Sequence, residues 1–164
     1  MHEPRGHPGA WCPYGSSTVP QYIVNEINAL GGNIQNAYGI SKEELKAAIP
    51  CGIGKINVDT DIRLAVTRNF RELFRDHPEL KDDPKAGGVW KLLDEKRDAF
   101  DPRAFLAPIM DTVMYGTGDE GAVALITDAM RRGVKEAVGT LIVEFGSYGK
   151  APLVEPATLE DMAA

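Results

Sequence analysis

The sequence predicts an α/β chain built mainly of helices, and three observations predict it. Hydrophobic residues make up 43% and charged residues 26% of the 164 residues, a globular balance with enough chain for one ordinary core. Apolar residues recur at helical spacing through most of the segments. One short β-prone run, Ile56 and Val58 within "GIGKINVDTD", is bracketed by Gly and Asp and reads as a strand. A lone strand cannot form a sheet, so the pattern fits an all-helical domain or a part of a longer helix–strand alternation.

The elements follow in order. The first residues, "MHEPRGHPGAWCP", are rich in Pro and Gly, lack periodicity and are expected to be irregular. From Val19 onward Tyr22, Ile23, Ile27 and Leu30 fall on one helical face, with Pro20 suited to the first turn and Gly31-Gly32 as the stop. Ser41 followed by Glu44 is a capping box that opens "KEELKAAI", which Pro50 and Gly52 end. After the strand, Thr60 or Asp61 caps a helix whose apolar face is Ile62, Leu64, Ala65, Phe70, Leu73 and Phe74. That helix stops near His77-Pro78, and residues 79–88 read as a charged, solvated loop. "VWKLLDEKRDAF" is expected to be helical, and "DPRAFLAPIMDTVM" opens a further helix with Asp101 as cap and Pro102 in its first turn. "YGTGDEG" is a turn, residues 122–145 form one long helix, and "TLEDMAA" forms a last short one. Three segments result: an irregular stretch 1–14, a central part 15–113 and a helical extension 114–164.

The totals exclude several classes. A formal net charge of −6 argues against a nucleic-acid partner, whose footprint is basic. No apolar run approaches the ~20 residues of a membrane span, and the N-terminus shows no signal-peptide core. Cys12 and Cys51 stand far apart and are expected to be reduced thiols, so the expected location is cytoplasmic.

Two loops could carry chemistry. Gly15-Ser16-Ser17 precedes a helix start, where small residues let backbone N–H groups approach an anion. It is also an ordinary turn and cap. Asn57 to Asp61 follows the strand and opens a helix: Asn57 and Thr60 can bind a phosphate or substrate oxygen, and Asp59 can accept from hydroxyls. Loop–helix followed by strand–loop–helix matches successive βα units. In (β/α)8 barrels the loops after the last two strands frequently make a phosphate site, which would give both loops one ligand.

"GSSTVPQ…INALGG", "YGISKEELKAAIPCGIGKINVDTDIRLAVTRNFRELF", "FDPRAFLAP" and the closing "FGSYGKA" resemble the C-terminal part of class II, zinc-dependent fructose-bisphosphate aldolases, over about residues 15–149. The resemblance implies the last βα units of a (β/α)8 barrel and a glycolytic lyase acting on a phosphorylated ketose. It implies that Gly15 and Ser17 bind one phosphate, that Asn57 contacts the reacting part of the substrate in a catalytic role, and that Asp59 and Thr60 contact substrate hydroxyl and phosphate. Arg103 of "FDPR" would reach the other phosphate, commonly from a neighbouring subunit.

The departures bear equally on function. Tyr14 stands where the family places a zinc-binding histidine, and a phenol is a poor zinc ligand beside imidazole. The strand expected before it is replaced by "HPGAWCP". Neither His2, His7 nor His77 stands in a ligand context. Nothing matches the family's earlier strands, which carry its catalytic Asp and other metal ligands. The expectations are therefore a C-terminal fragment of such an aldolase that binds no zinc and is inactive alone, or one half of a split enzyme with a complementing N-terminal barrel chain. A non-catalytic helical assembly protein, forming homo-oligomers, is the alternative. The choice between fructose and tagatose bisphosphates stays open.

Overall fold

The computed structural model describes residues 12–115 and 121–153, which form six α-helices joined by short 3-10 turns. The "TLEDMAA" helix, His2, His7 and part of the "YGTGDEG" turn lie outside the described residues.

Helix α1 (Gln21–Ala29) buries Ile23, Val24 and Ile27, and Pro20 is its N-cap rather than its first-turn residue. Helix α2 (Lys42–Ala48) starts on a complete capping box. The Ser41 hydroxyl accepts from Glu44 N at 3.1 Å, and Ser41 N donates to Glu44 Oε2 at 3.0 Å. The Ser41 contacts hold the Glu44 carboxyl below its ordinary range. A 3-10 turn (Ile49–Cys51) follows and ends at Gly52.

The predicted strand at Ile56 and Val58 is not formed. Among the described residues only Ile53 makes an isolated bridge, and residues 54–59 run as irregular chain into α3. A β run becomes a strand by backbone pairing, and the described chain beside it, residues 12–17, meets it through the Asn57 and Ser17 side chains instead of a ladder. The α/β class expected from the sequence thus appears as a helix-rich chain.

Helix α3 (Thr60–Asp76) is the axis of the structure. Its N-cap is Asp59, not Thr60 or Asp61, and Asp59 makes no side-chain cap bond. One of its faces joins Val66, Phe70, Leu73 and Phe74 to Val89, Leu93, Phe105, Ile109, Val123 and Ile126. Its N-terminal end joins Leu64 and Ala65 to Val19, Ile23, Val24, Ile27, Ile34 and Ala137. Some two dozen apolar side chains are buried in this way, and their removal from water is the main favourable contribution to folding.

Two expectations downstream of α3 are corrected. Residues 79–88 are not one solvated loop: a 3-10 turn (Pro78–Asp82) buries Leu80, and α4 (Ala86–Glu95) already starts at Ala86. Gly87-Gly88 reads as a breaker in sequence, yet both lie in α4. An added Cβ at Gly87 would stand 2.4 Å from Lys81 O, and one at Gly88 2.8 Å from Pro108 Cβ. Close approach, not flexibility, requires glycine there. The "DPRAFLAPIMDTVM" segment is not one helix but two 3-10 turns (Pro102–Ala104 and Ala107–Ile109) before α5 (Met110–Tyr115). Pro108 lacks the N–H that a continuous helix would need.

Helix α6 (Gly121–Glu144) runs along α3. At Gly133 the backbones nearly touch: an added Cβ would lie 2.7 Å from Val66 Cα. Arg68 of α3 pairs with Glu26, Glu72 and Glu136, tying α1 and α6 to it. Lys42 and Lys46 of α2 both pair with Glu144 in the last turn of α6.

Candidate functional site

The two loops singled out in the sequence interlock at the start of α3. The first four N–H groups of a helix lack intrahelical partners. Here Asp59 N and Thr60 N donate to the Ser17 hydroxyl, at 3.2 and 3.1 Å. The reciprocal contact runs through Asp61, a residue only 3% exposed. It accepts from Thr18 N at 3.2 Å, Thr18 Oγ1 at 2.6 Å and Val19 N at 2.9 Å. Val19 is held at φ +50°, a left-handed conformation that β-branched residues avoid. The bond to Asp61 is what fixes it there. Gly15, at φ +72°, makes the turn that brings Ser16 inward, where its hydroxyl donates to Pro13 O at 3.2 Å.

Asn57 stands at the mouth of this loop pair, its amide donating to Cys12 Sγ at 3.2 Å. Thr60 and Val19 edge an open cleft of about 660 Å³ that also holds Asn33, Gln35, Asn36 and Tyr38. Asp59 faces Arg63 one turn along α3, with Arg63 Nε donating to Oδ1 at 2.8 Å. Arg63 also donates from Nη1 to Asp101 Oδ2 at 2.6 Å. Asp101 in turn caps its 3-10 turn by accepting Arg103 N at 3.0 Å, and receives Arg103 Nη2 at 2.6 Å. Hydrogen bonds from the Arg103 side chain, then its backbone N–H and the charges of Arg63 and Arg103, bring the Asp101 carboxyl down to about 2 against a smaller desolvation effect. Arg103 is raised by its bonds to Asp101, with Asp59 adding to the same effect.

The structure therefore places Ser17 against Asp59 and Thr60, and joins Asp59 to Arg103 through two intervening charges. Gly15 and Asn57 flank that cluster. Tyr14, at the position where a zinc ligand would be expected, is 86% exposed. His77 lies at the far end of α3, about 25 Å away by helical rise, with Nδ1 3.0 Å from Glu79 Oε1. Among the described residues no three His, Cys, Asp or Glu side chains gather as a metal would need. Residues 12–15 and 57–61 offer one thiol and two carboxylates, but Cys12 receives Asn57, Asp59 is held by Arg63 and Asp61 is buried on Thr18 and Val19, so this donor set does not fit a catalytic zinc.

Sequence reasoning singled out Asp61 only as a cap and passed over Arg63. The spacing of four between Asp59 and Arg63 is a signal that was available, since such pairs share a helix face. The Asp61 bonds span more than forty residues and have no local signature.

Around the start of α3 the chain thus gathers hydroxyls, helix-start N–H groups and alternating charges, with Arg103 at the exposed end. The family described as fructose-bisphosphate aldolase class-II matches residues 34–150. A fructose-bisphosphate aldolase of Xanthobacter flavus is 31% identical over 150 residues, covering 92% of this chain and 31% of that protein. One of Thermus caldophilus is 35% identical over 138 residues, covering 84% of this chain and 32% of that protein. A fructose-bisphosphate aldolase class 2 of Synechocystis sp. is 32% identical over 151 residues, 92% of this chain and 31% of that protein. The chain belongs to the class II fructose-bisphosphate aldolase family, and it spans about a third of the length of these curated relatives.

Proposed function

We propose that this chain supplies the substrate-phosphate end of a class II fructose-bisphosphate aldolase, the lyase that reversibly cleaves fructose 1,6-bisphosphate to glycerone phosphate and glyceraldehyde 3-phosphate. One observation carries the reading. The Ser17 hydroxyl oxygen accepts from Asp59 N at the N-cap and Thr60 N at the first position of α3, where an oxygen of a phosphate would accept them. In this reading Gly15, Ser17 and Thr60 hold one phosphate, Asn57 and Asp59 face the reacting carbons and hydroxyls, and Arg103 takes the other phosphate. Residues 15–113 correspond to the last βα units of a (β/α)8 barrel and residues 114–164 to a helical extension. The setting is a cytoplasmic enzyme of glycolysis.

What these residues do is bind and orient. Fixing both phosphates aligns the carbon–carbon bond to be broken, and positioning of this kind can lower a barrier by several kcal/mol. Zinc, in the family, polarises the ketose carbonyl. The described donors do not hold it, and no step is assigned to it on this chain.

The test measures cleavage of fructose 1,6-bisphosphate with added zinc. The chain alone should give no turnover. Co-expressed with a polypeptide carrying the preceding barrel units of a relative, it should give turnover that Asn57→Ala and Arg103→Ala abolish. Turnover by the chain alone, or complemented turnover indifferent to both substitutions, would overturn the reading. The exposed apolar residues Val134, Val138 and Ile142 of α6 favour a second reading, a helical assembly protein. Light scattering separates the two, since a monomer that melts cooperatively contradicts assembly.

A further inference from the structure

Four side chains alternate in sign across the start of α3: Asp59, Arg63, Asp101 and Arg103. Arg63 grips Asp59 through Nε and Nη2, and turns Nη1 to Asp101. Asp101 thus faces two guanidinium groups at once, receiving Arg103 Nε at 3.0 Å on both oxygens and Nη2 at 2.6 Å. The two arginines differ in freedom. The Arg63 and Asp101 side chains are each 28% exposed, whereas Arg103 is 72% exposed.

We propose that Asp101 is a resident counter-anion which a phosphate dianion displaces from Arg103, while Arg63 is the positioning residue that keeps Asp101 and Asp59 in place during the exchange. The proposal rests on the reading of Arg103 as a phosphate-binding residue. A phosphate offers Arg103 a fork of oxygens matched to its planar donors and carries more charge than one carboxylate. Asp101 is not left unpaired, because Arg63 Nη1 stays on it. The backbone does not need to move either, since Asp101 Oδ1 goes on accepting Arg103 N and holds the 3-10 turn while the side chain swings away. Affinity at Arg103 is then a difference between two anions competing for one cation.

The experiment titrates the full chain with inorganic phosphate at low salt and neutral pH, by calorimetry and by carboxyl NMR. Asp101→Asn keeps an oxygen for the Arg103 N–H and removes the competing charge. It should bind phosphate about two- to five-fold more tightly, the range set by the worth of an exposed ion pair, and Arg103→Gln should lose that binding. In the wild type, phosphate should raise the Asp101 titration while Arg63 still holds it below the ordinary carboxylate value. Arg63→Gln should raise it further, and Arg63→Lys should restore the lower value. Phosphate binding that depends on Arg103 but is equal or weaker in Asp101→Asn overturns the exchange and leaves the phosphate reading of Arg103 standing. Binding indifferent to Arg103 overturns both. An Asp101 titration indifferent to phosphate in every variant overturns the role given to Arg63.

Discussion

Replacing Asp61 by alanine should cost about 2–4 kcal/mol of folding stability, a large part of the 5–15 kcal/mol typical of a domain. The residue is 3% exposed and its carboxylate accepts three hydrogen bonds, two from backbone N–H groups. A bond to a charged acceptor contributes about 1.5–3 kcal/mol, but burying the charge offsets part of that sum. The decisive loss is the Val19 N–H, which lies on a residue 7% exposed and would be orphaned. One such buried donor costs about 1–3 kcal/mol, and the Thr18 groups, nearer the surface, add about 1 kcal/mol after water replaces the carboxylate. Asp61→Asn should lie between, because its oxygen can serve Val19 while its NH2 opposes the Thr18 donors. Urea unfolding followed by circular dichroism gives the stabilities, and amide exchange at Val19 gives the local effect. An Asp61→Ala chain within about 0.5 kcal/mol of wild type, with Val19 exchange unchanged, would refute the assignment of Asp61 as the clamp between the loops.

Three further outcomes are expected. Ser17→Ala should lower stability by about 1 kcal/mol, the worth of an N-cap, and speed amide exchange at Asp59 and Thr60; unchanged exchange there would contradict the capping. Gly133→Ala should lower stability by about 1–3 kcal/mol despite the better helix propensity of alanine, because the new methyl meets Val66 backbone rather than a movable side chain; a stabilised variant would contradict it. Asp101 has a folded-state value of about 2, below its unfolded value near 3.9, so its pairing stabilises fully above about pH 4 and fades as pH falls toward 2. Urea midpoints measured across that window should show a step that Asp101→Asn removes.

What could be read from the sequence was mostly local. The Ser41–Glu44 box, the Gly31 stop of α1 and the apolar faces of α1 and α3 depend on residues three or four apart, and they appear in the structure close to where periodicity puts them. On α6 the small residues Ala129, Gly133 and Ala137 are buried while Val134, Val138 and Ile142 are exposed. The errors occur where a distant partner decides. Ile56 and Val58 have β-prone side chains but no described strand to pair with. Gly87 and Gly88 look like breakers until Lys81 O and Pro108 are seen against them. For the site, Gly-Ser-Ser and the Asn57-to-Asp61 run stood out by composition. The contact between them runs through Ser17 and Asp61, more than forty positions apart, and only the fold shows it. Arg63 was missed because a charged residue on an amphipathic helix ordinarily reads as its solvated face.

The contact at Gly133 also selects among packings. Neighbouring helices can usually settle into more than one ridge-and-groove fit, separated by a slide of a residue or a turn. Here α3 and α6 meet backbone to backbone, and the positions one turn either side of Gly133 on the same face are Ala129 and Ala137, both buried. A slip of one turn in either direction would bring an alanine methyl to the point where a Cβ on Gly133 would stand 2.7 Å from Val66 Cα, so the competing alignments are opposed by that contact while the native one is admitted by a single hydrogen atom. The absence of a side chain at one point therefore keys the alignment of a 24-residue helix, and with it the distance between the Lys42–Glu144 end of the molecule and the loops at the start of α3.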